Sequence, residues 1–185
     1  VRLTCSAAGQ SAARVADLMP TPEPVLFNLS DCPLESSGLA QEFVVHKTTR
    51  RQHYDTRLVA ASGVCETLLV NERGELTEFT RGNVALKLGG RWLTPALHCG
   101  SLAGTYRAEL LARGEIAEAV LTLTDLHQAQ AIAFFNSLRG WLAARASGVR
   151  LEEIHVALGT PGSSERILAP CPNRKVPCLP DPGLQ

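Results

Sequence analysis

Short runs of β-branched and apolar residues, separated by tight-turn residues, constrain this chain most. The run 64–70 is followed by the turn Asn71-Glu-Arg-Gly74, and the run 76–88 is followed by Gly89-Gly90 and the short run 91–93. Links this short join antiparallel strands, because parallel strands need a crossover of a dozen or more residues. The middle of the chain is therefore predicted to form antiparallel hairpins.

One carboxylate, Glu78, lies within the stretch Leu-Thr-Glu-Phe-Thr-Arg-Gly-Asn at 76–83. One predicted strand ends here, and the chain turns before the next strand begins. A strand end suits a polar group better than a core does, because a buried carboxylate without partners is costly. Glu78 is thus a candidate functional residue, although its residue type alone indicates no particular chemistry.

The rest of the chain follows the same pattern of short strands and few helices. Strands are predicted at 1–5, 25–29, 42–46, 115–123 and 131–135, and helices at 48–61, 105–113 and 124–130. Hairpin links outnumber helical crossovers, so we predict an α/β chain of the α+β kind with a mixed or antiparallel sheet. The predicted division is a strand and interdomain linker at 1–40, a main domain at 41–158, and a proline-rich tail at 159–185 that is extended or disordered.

The composition argues against several classes of protein. Eighteen basic residues balance 18 acidic ones, which leaves no electrostatic footprint for nucleic acid. No apolar run approaches the ~20 residues of a membrane span, so we expect no membrane association and a cytoplasmic location. The 5 histidines and 6 cysteines lack metal-ligand spacing, so no metal is predicted, and the cysteines are expected to be free thiols.

Two further places are candidates for a site. Lys47 follows the predicted strand 42–46 and precedes the helix 48–61, and lysine is scarce in this arginine-rich chain. A lysine at such a junction can point into a cleft, although most lysines there are solvated surface charges. The glycine-containing loop 94–104 opens directly into the helix 105–113, whose free N–H groups and dipole favour an anion such as phosphate.

Four blocks occur in a characteristic order. They are Lys47-Thr-Thr-Arg-Arg, the stretch 69–83 that contains Glu78, Leu102-Ala-Gly-Thr-Tyr-Arg107 and Phe134-Phe-Asn-Ser-Leu-Arg-Gly140. From about residue 40 to residue 145 the chain therefore resembles the class IV (fold-type IV) pyridoxal-phosphate enzymes. These include branched-chain aminotransferases, D-amino-acid aminotransferases and aminodeoxychorismate lyases. The resemblance implies the large C-terminal domain of that fold.

The resemblance also implies roles for individual residues around the ring of the cofactor, pyridoxal 5'-phosphate. Lys47 would form a Schiff base with the cofactor aldehyde and then move the substrate proton. Glu78 would pair with the pyridinium nitrogen, and Leu102 would pack on the ring face. Arg51 would form a salt bridge or contact the phosphate region, or it would be a plain surface charge.

Five residues would hold the cofactor phosphate by the same resemblance. Gly104, Thr105 and Tyr106 match the family's phosphate-binding turn before a helix. Asn136 and Ser137 fall where many aminotransferases have Thr-Gly-Thr, a second phosphate cradle.

The sequence Asn-Ser-Leu at 136–138 resembles the lyases more than the aminotransferases. The longer runs are similar to the lyase-like C-terminal part of proteins fused to aminodeoxychorismate synthase component I. The resemblance implies conversion of the small-molecule substrate 4-amino-4-deoxychorismate to 4-aminobenzoate and pyruvate, on the route to folate. It also implies a homodimer and a chorismate-using synthase domain in a parent chain. A class IV aminotransferase of branched-chain or D-amino acids and a catalytically silent domain remain alternatives.

Members of this family also carry a smaller N-terminal α/β domain, and the segment 1–5 resembles its final strand. That domain contributes to the phosphate site and the substrate pocket. The chain is therefore expected to hold the cofactor weakly and to be a poor catalyst by itself. An apolar face left without that domain is expected to favour association.

Overall fold

The computed structural model describes residues 1–35, 44, 46–55, 57 and 66–147. In chain order the strands are β1 (Arg2–Cys5), β2 (Ser11–Arg14), β3 (Val25–Leu29), β4 (Glu66–Val70), β5 (Leu76–Phe79), β6 (Asn83–Leu88), β7 (Arg91–Pro95), β8 (Ala117–Ala119), β9 (Ala131–Asn136) and β10 (Gly140–Ala146). The helices are α1 (Gln52–Asp55), α2 (Thr105–Ala112) and α3 (Leu123–Gln128), with a 3-10 turn at Leu97–Cys99.

Eight of the described strands form one mixed sheet in the order β5-β4-β3-β10-β9-β6-β7-β8. Strand β3 is parallel to both of its neighbours, β4 and β10, and β7 is parallel to β8. The other neighbouring strands are antiparallel. The predicted mixed sheet with few helices, of the α+β class, is therefore confirmed.

The sheet curls until its two edges meet. The N–H of Leu76, on the β5 edge, donates to the carbonyl of Leu121 beyond β8 at 2.7 Å. Next to this bond, Glu75 and Thr122 pair as an isolated antiparallel bridge. All residues of β4 and β5 are buried as a result, including the polar ones.

Alternate residues of β6 and β9 face two different apolar clusters, as the pleat of a strand requires. Val84 and Phe134 belong to the cluster within the curled sheet. Ala85 and Phe135 belong to a second cluster, which Leu110 of α2 completes. Helix α2 is thereby fixed to one face of the sheet, and its N-terminus is placed near the strand ends that carry the candidate site.

Many of the predicted elements are confirmed. Strands form at 25–29 and 131–136, and Gly74, Gly89 and Gly90 adopt positive φ angles of 77°, 55° and 79° in the predicted hairpin turns. The run 76–88 breaks into β5 and β6 after Glu78, as expected. Helix α2 ends before Gly114, whose φ of 69° suits a helix C-terminus.

Four element predictions were wrong, in whole or in part, at described residues. Val44, in the predicted strand 42–46, is helical, while Glu42, Phe43 and Val45 lie outside the described residues. The strand predicted at 115–123 is confined to β8, because Thr122 leaves the extended run to cap α3. For the same reason α3 starts at Leu123, one residue before the predicted start of 124–130. Of the helix predicted at 48–61, Gln52–Asp55 forms α1, whereas the described residues 48–51 are not helical.

Cys32 is disulfide-bonded, so the expectation of free thiols was wrong there, whereas Cys5 and Cys99 are free. Disulfide pairing cannot be deduced from spacing along a sequence, which is why the pattern did not show it. Among the described residues, no helix is long and apolar enough to cross a membrane.

The domain boundaries stay a prediction. Strand β3, which falls in the predicted linker 1–40, lies inside the main sheet, whereas β1 and β2 form a separate exposed hairpin. The proline-rich tail at 159–185 lies outside the described residues.

Candidate functional site

Glu78 is a buried carboxylate held by two hydrogen-bond donors from different parts of the chain. It is the last residue but one of β5, and 3% of its surface is exposed. The hydroxyl of Tyr54 donates to Oε1 at 2.5 Å, and the N–H of Leu102 donates to Oε2 at 3.1 Å. A carboxylate offers about four acceptor positions, so these two bonds leave capacity for a further donor.

Burial raises the pKa of Glu78 to about 7. The bonds from Tyr54 and Leu102 and the positive charges of Arg51 and Arg107 act in the opposite direction, but desolvation outweighs them. The carboxyl group is therefore poised between its two forms near neutral pH. A cation brought against it would favour the ionised form.

The chain segment that carries Lys47 is anchored to the end of β5. Arg51 donates from Nη2 to the carbonyl of Thr80 at 2.6 Å, and its guanidinium carbon lies 4.9 Å from the centre of the Tyr54 ring. Together with the bond from Tyr54 to Glu78, these contacts join the segment to Glu78 and Thr80, which flank the last residue of β5. Arg51 is half-buried and structural in this position, while Lys47 itself is exposed on the segment before α1.

The turn before α2 packs tightly against the start of β6. Asn83 is buried and donates from Nδ2 to the carbonyl of Leu102 at 3.0 Å. A Cβ at Gly104 would come closer to Asn83 than the 3.0 Å that real Cβ contacts keep. Leu102 is thus held on both sides, through its carbonyl by Asn83 and through its N–H by Glu78.

The N-terminus of α2 offers hydroxyl and backbone donors at one place. Gly104 is the N-cap and makes no side-chain capping bond. The hydroxyls of Thr105 and Ser137 are 2.5 Å apart, and both residues are exposed. The ring of Tyr106 packs edge-on to Phe135, with 6.2 Å between ring centres. The group that Tyr106 contributes to the start of the helix is therefore its backbone N–H.

Asn136 shapes the turn that presents Ser137. Its amide donates to the carbonyl of Arg81 at 2.9 Å. Its Oδ1 accepts from the N–H groups of Leu138 and Arg139 at 3.0 and 2.7 Å. The Asn136 side chain is thus committed to the protein itself, and Ser137 is the member of the pair with a hydroxyl facing Thr105.

The structure joins the predicted site residues in two contacts, Glu78 with Leu102 and Thr105 with Ser137. No described hydrogen bond joins Lys47 to either pair. The prediction missed Tyr54, the partner of Glu78. Tyr54 lies three residues after Arg51, and residues at that spacing lie on one face of a helix. That spacing was the available signal.

Comparisons with known proteins show the family and the fold of this chain. The family described as "Amino-transferase class IV" matches residues 5–146. A crystal structure of a "Putative amino-acid aminotransferase" from Mesorhizobium loti has a TM-score of 0.69 and 34% identity, over 78% of this chain and 71% of that one. A "Putative 4-amino-4-deoxychorismate lyase" from Legionella pneumophila has a TM-score of 0.62 and 22% identity, over 76% and 52% of the two chains, which shows the fold alone.

A curated sequence is similar over a shorter stretch. The "Putative aminodeoxychorismate lyase" of Schizosaccharomyces pombe is 40% identical over 77 residues, which is 40% of this chain and 33% of that protein. The chain thus spans about a third of the length of this relative. The family match covers well over half of the chain, and the curled mixed sheet is the fold-type IV fold. The chain belongs to the class IV aminotransferase family.

Proposed function

We propose that this chain is the cofactor-binding domain of a pyridoxal-phosphate-dependent lyase. The proposed reaction converts 4-amino-4-deoxychorismate to 4-aminobenzoate and pyruvate, a step toward folate. The observation that carries the proposal is the buried carboxylate of Glu78, which has acceptor capacity to spare at a strand end beside the α2 turn. The similarity to the S. pombe protein named as such a lyase supports the choice of reaction.

The residues of the site fit the proposed cofactor at both of its charged ends, the ring nitrogen and the phosphate. A pyridinium N–H is a cationic donor, which suits an acceptor whose pKa is raised to about 7 by burial. A phosphate suits the α2 N-terminus, where no side chain caps the free N–H groups and two hydroxyls lie together. Both places adjoin the segment 102–105, because Leu102 bonds Glu78 and Thr105 contacts Ser137.

Each residue would then have a separate task. Bound pyridoxal phosphate supplies an electron sink for negative charge that develops on the substrate. Glu78 would keep the ring nitrogen protonated. Lys47 would hold the cofactor and move the substrate proton, and Leu102 would position the cofactor ring. Gly104, Thr105, Tyr106 and Ser137 would bind the phosphate, and Asn136 would support Ser137.

The absorption spectrum of the chain with added pyridoxal phosphate tests the proposal. We expect the wild type to show a visible band that borohydride abolishes, because reduction converts the link to Lys47 into a stable covalent adduct, and we expect neither the band nor the adduct in Lys47→Ala. The matched control is Lys87→Ala, since Lys87 lies in β6 and the proposal gives it no role. Retention of the adduct in Lys47→Ala would refute the role of Lys47, and its absence from the wild type would mean that this chain does not hold the cofactor alone.

A second candidate function is a class IV aminotransferase. The Mesorhizobium loti structure favours it, because the 34% identity covers most of both chains and that protein is named as an aminotransferase. Product analysis separates the two reactions, since a lyase releases pyruvate from aminodeoxychorismate whereas an aminotransferase transfers an amino group to a keto acid. A catalytically silent domain would do neither and would lack the Lys47 adduct.

The assembly and location of the protein are also proposals. We propose a homodimer in the cytoplasm, and a chorismate-using synthase domain in a longer parent chain. Light scattering on the purified chain measures the mass in solution. A monomeric mass at all concentrations would refute the dimer.

A further inference from the structure

We propose that Tyr54 is a positioning residue for Glu78. The hydroxyl of Tyr54 holds the Glu78 carboxylate in place as an acceptor for the ring of the cofactor. This inference rests on the proposed function, because it assumes that Glu78 faces the cofactor. It adds a residue outside the four sequence blocks that led to the family.

The Glu78 carboxylate is held by contacts to both of its oxygens. Tyr54 is 7% exposed and reaches Glu78 Oε1 at 2.5 Å from a segment 24 residues away in sequence. The other oxygen accepts from the backbone N–H of Leu102. Two donors on different oxygens, from separate segments, fix both the position and the plane of the carboxyl group. Removing either donor would free the group to rotate.

Tyr54 is itself held in place by contacts to its ring. The guanidinium of Arg51 lies over its ring and is bonded to the Thr80 carbonyl, two residues beyond Glu78. The His53 ring lies 4.1 Å from the Tyr54 ring, between centres. Desolvation, with the charges of Arg57 and Arg51, lowers the pKa of His53, so its ring brings no positive charge at neutral pH. The phenol therefore has a single orientation toward Glu78.

Two arginines bring positive charge near Glu78. Arg51, from the segment before α1, and Arg107, from α2, both favour its ionised form, while burial opposes it. Arg107 is bonded to the Pro95 carbonyl and to Glu118 at 2.8 and 2.5 Å, which fixes its place. Tyr54 adds a hydrogen bond without adding charge. Burial and the nearby carboxylate raise the pKa of its phenol, so the hydroxyl stays protonated and remains a donor.

A Tyr54→Phe variant therefore removes one donor and leaves every charge in place. The ionised form of Glu78 loses a bond that the protonated form needs less, so the pKa of Glu78 should rise. Less carboxylate is then available at pH 7. Cofactor affinity should fall about tenfold at pH 7, as expected for a lost hydrogen bond to a charged group, and by less at pH 9.

The test has two readouts. Carbon-13 NMR of the glutamate carboxyl carbons gives the titration midpoint of Glu78 without cofactor, and Glu78→Gln assigns the signal. Quenching of tryptophan fluorescence by pyridoxal phosphate gives the affinity across pH. We expect Tyr54→Phe to raise the midpoint and weaken affinity most at pH 7. Thr94→Val is the matched control, since it removes another buried hydroxyl bond, to the Val84 carbonyl at 2.7 Å.

A second variant tests the same hydrogen bond if Tyr54→Phe does not fold. The chain has two tyrosines, and replacing both with 3-fluorotyrosine preserves their shape while making the hydroxyl a stronger donor. The Glu78 midpoint should then fall. An unchanged midpoint in either protein would overturn the role of Tyr54, even if affinity decreased. Failure of the wild type to bind cofactor would refute cofactor binding by this chain alone, and the carboxyl titration would still decide the role of Tyr54.

Discussion

Replacing Glu78 by glutamine is expected to stabilise the chain at alkaline pH. The amide has the same shape as the carboxyl group and keeps both contacts. Its oxygen can accept from the Leu102 N–H, and its NH₂ can donate to the Tyr54 hydroxyl oxygen, since a phenol accepts as well as donates. The substitution therefore removes the ionisable proton with little change in packing.

The magnitude follows from the pKa of Glu78, which burial raises from 4.5 to about 7. A pKa raised in the folded state contributes stability that is complete below pH 4.5 and is lost as pH rises through 7. The full loss is roughly 3 kcal/mol by pH 8. Glu78→Gln does not undergo this loss, so its free energy of unfolding should exceed that of the wild type by only about 1 kcal/mol at pH 5 and by up to ~3 kcal/mol at pH 8.

Urea unfolding followed by tryptophan fluorescence at pH 5 and pH 8 measures both values. Glu75→Gln is a control of opposite sign. The bond from Arg73 lowers the pKa of Glu75 to about 2, so Glu75 stabilises the fold above pH 4.5 and loses that contribution as pH falls through 2. Glu75→Gln should therefore be less stable than the wild type at pH 8. An equal difference between Glu78→Gln and the wild type at both pH values would refute the reasoning.

Three further substitutions test the turn, the phosphate site and a remote cap. Gly104→Ala forces a Cβ into Asn83 and should cost about 2 kcal/mol of unfolding free energy by overpacking, and adding Asn83→Ala should recover part of that loss in a double-mutant cycle. Ser137→Ala should weaken pyridoxal phosphate binding severalfold with unchanged unfolding in urea, and equal affinity would argue against a phosphate contact. Thr122→Ala breaks the capping box with Asp125 and should cost about 1 kcal/mol while cofactor affinity stays the same in fluorescence titrations.

Local signals in the sequence predicted the hairpins and the main helix well. Gly74 and Gly89 have positive φ angles, which a glycine adopts without strain, so the turns could be located without knowing the partner strands. Glu78 could be identified from the local sequence, because it is a polar residue at the point where a predicted strand ends. The roles of Lys47 and of the phosphate residues came from the family resemblance rather than from residue chemistry.

Contacts between distant segments could not be predicted in the same way. The β-branched run at 42–46 suggested a strand, yet Val44 is helical and packs with Leu34, Tyr54 and Leu69 in a buried cluster. Tertiary packing overrides strand propensity there. The bond between Tyr54 and Glu78 depends on that packing, so the spacing of Tyr54 from Arg51 could indicate a shared helix face but not the partner of Tyr54.

The place of β3 in the sheet has a consequence for the order of folding. Residues Val25–Leu29 form a central strand whose neighbour on one side is β10, paired at 144–146, and Ser147 donates from its N–H to the Phe27 carbonyl at 2.8 Å. Pairing across so long a stretch of chain makes closure of the sheet a slow step. During synthesis, β3 must wait unpaired on this side until residue 147 has left the ribosome. A chain stopped before β10 would expose one side of its central strand and be prone to pair with other chains.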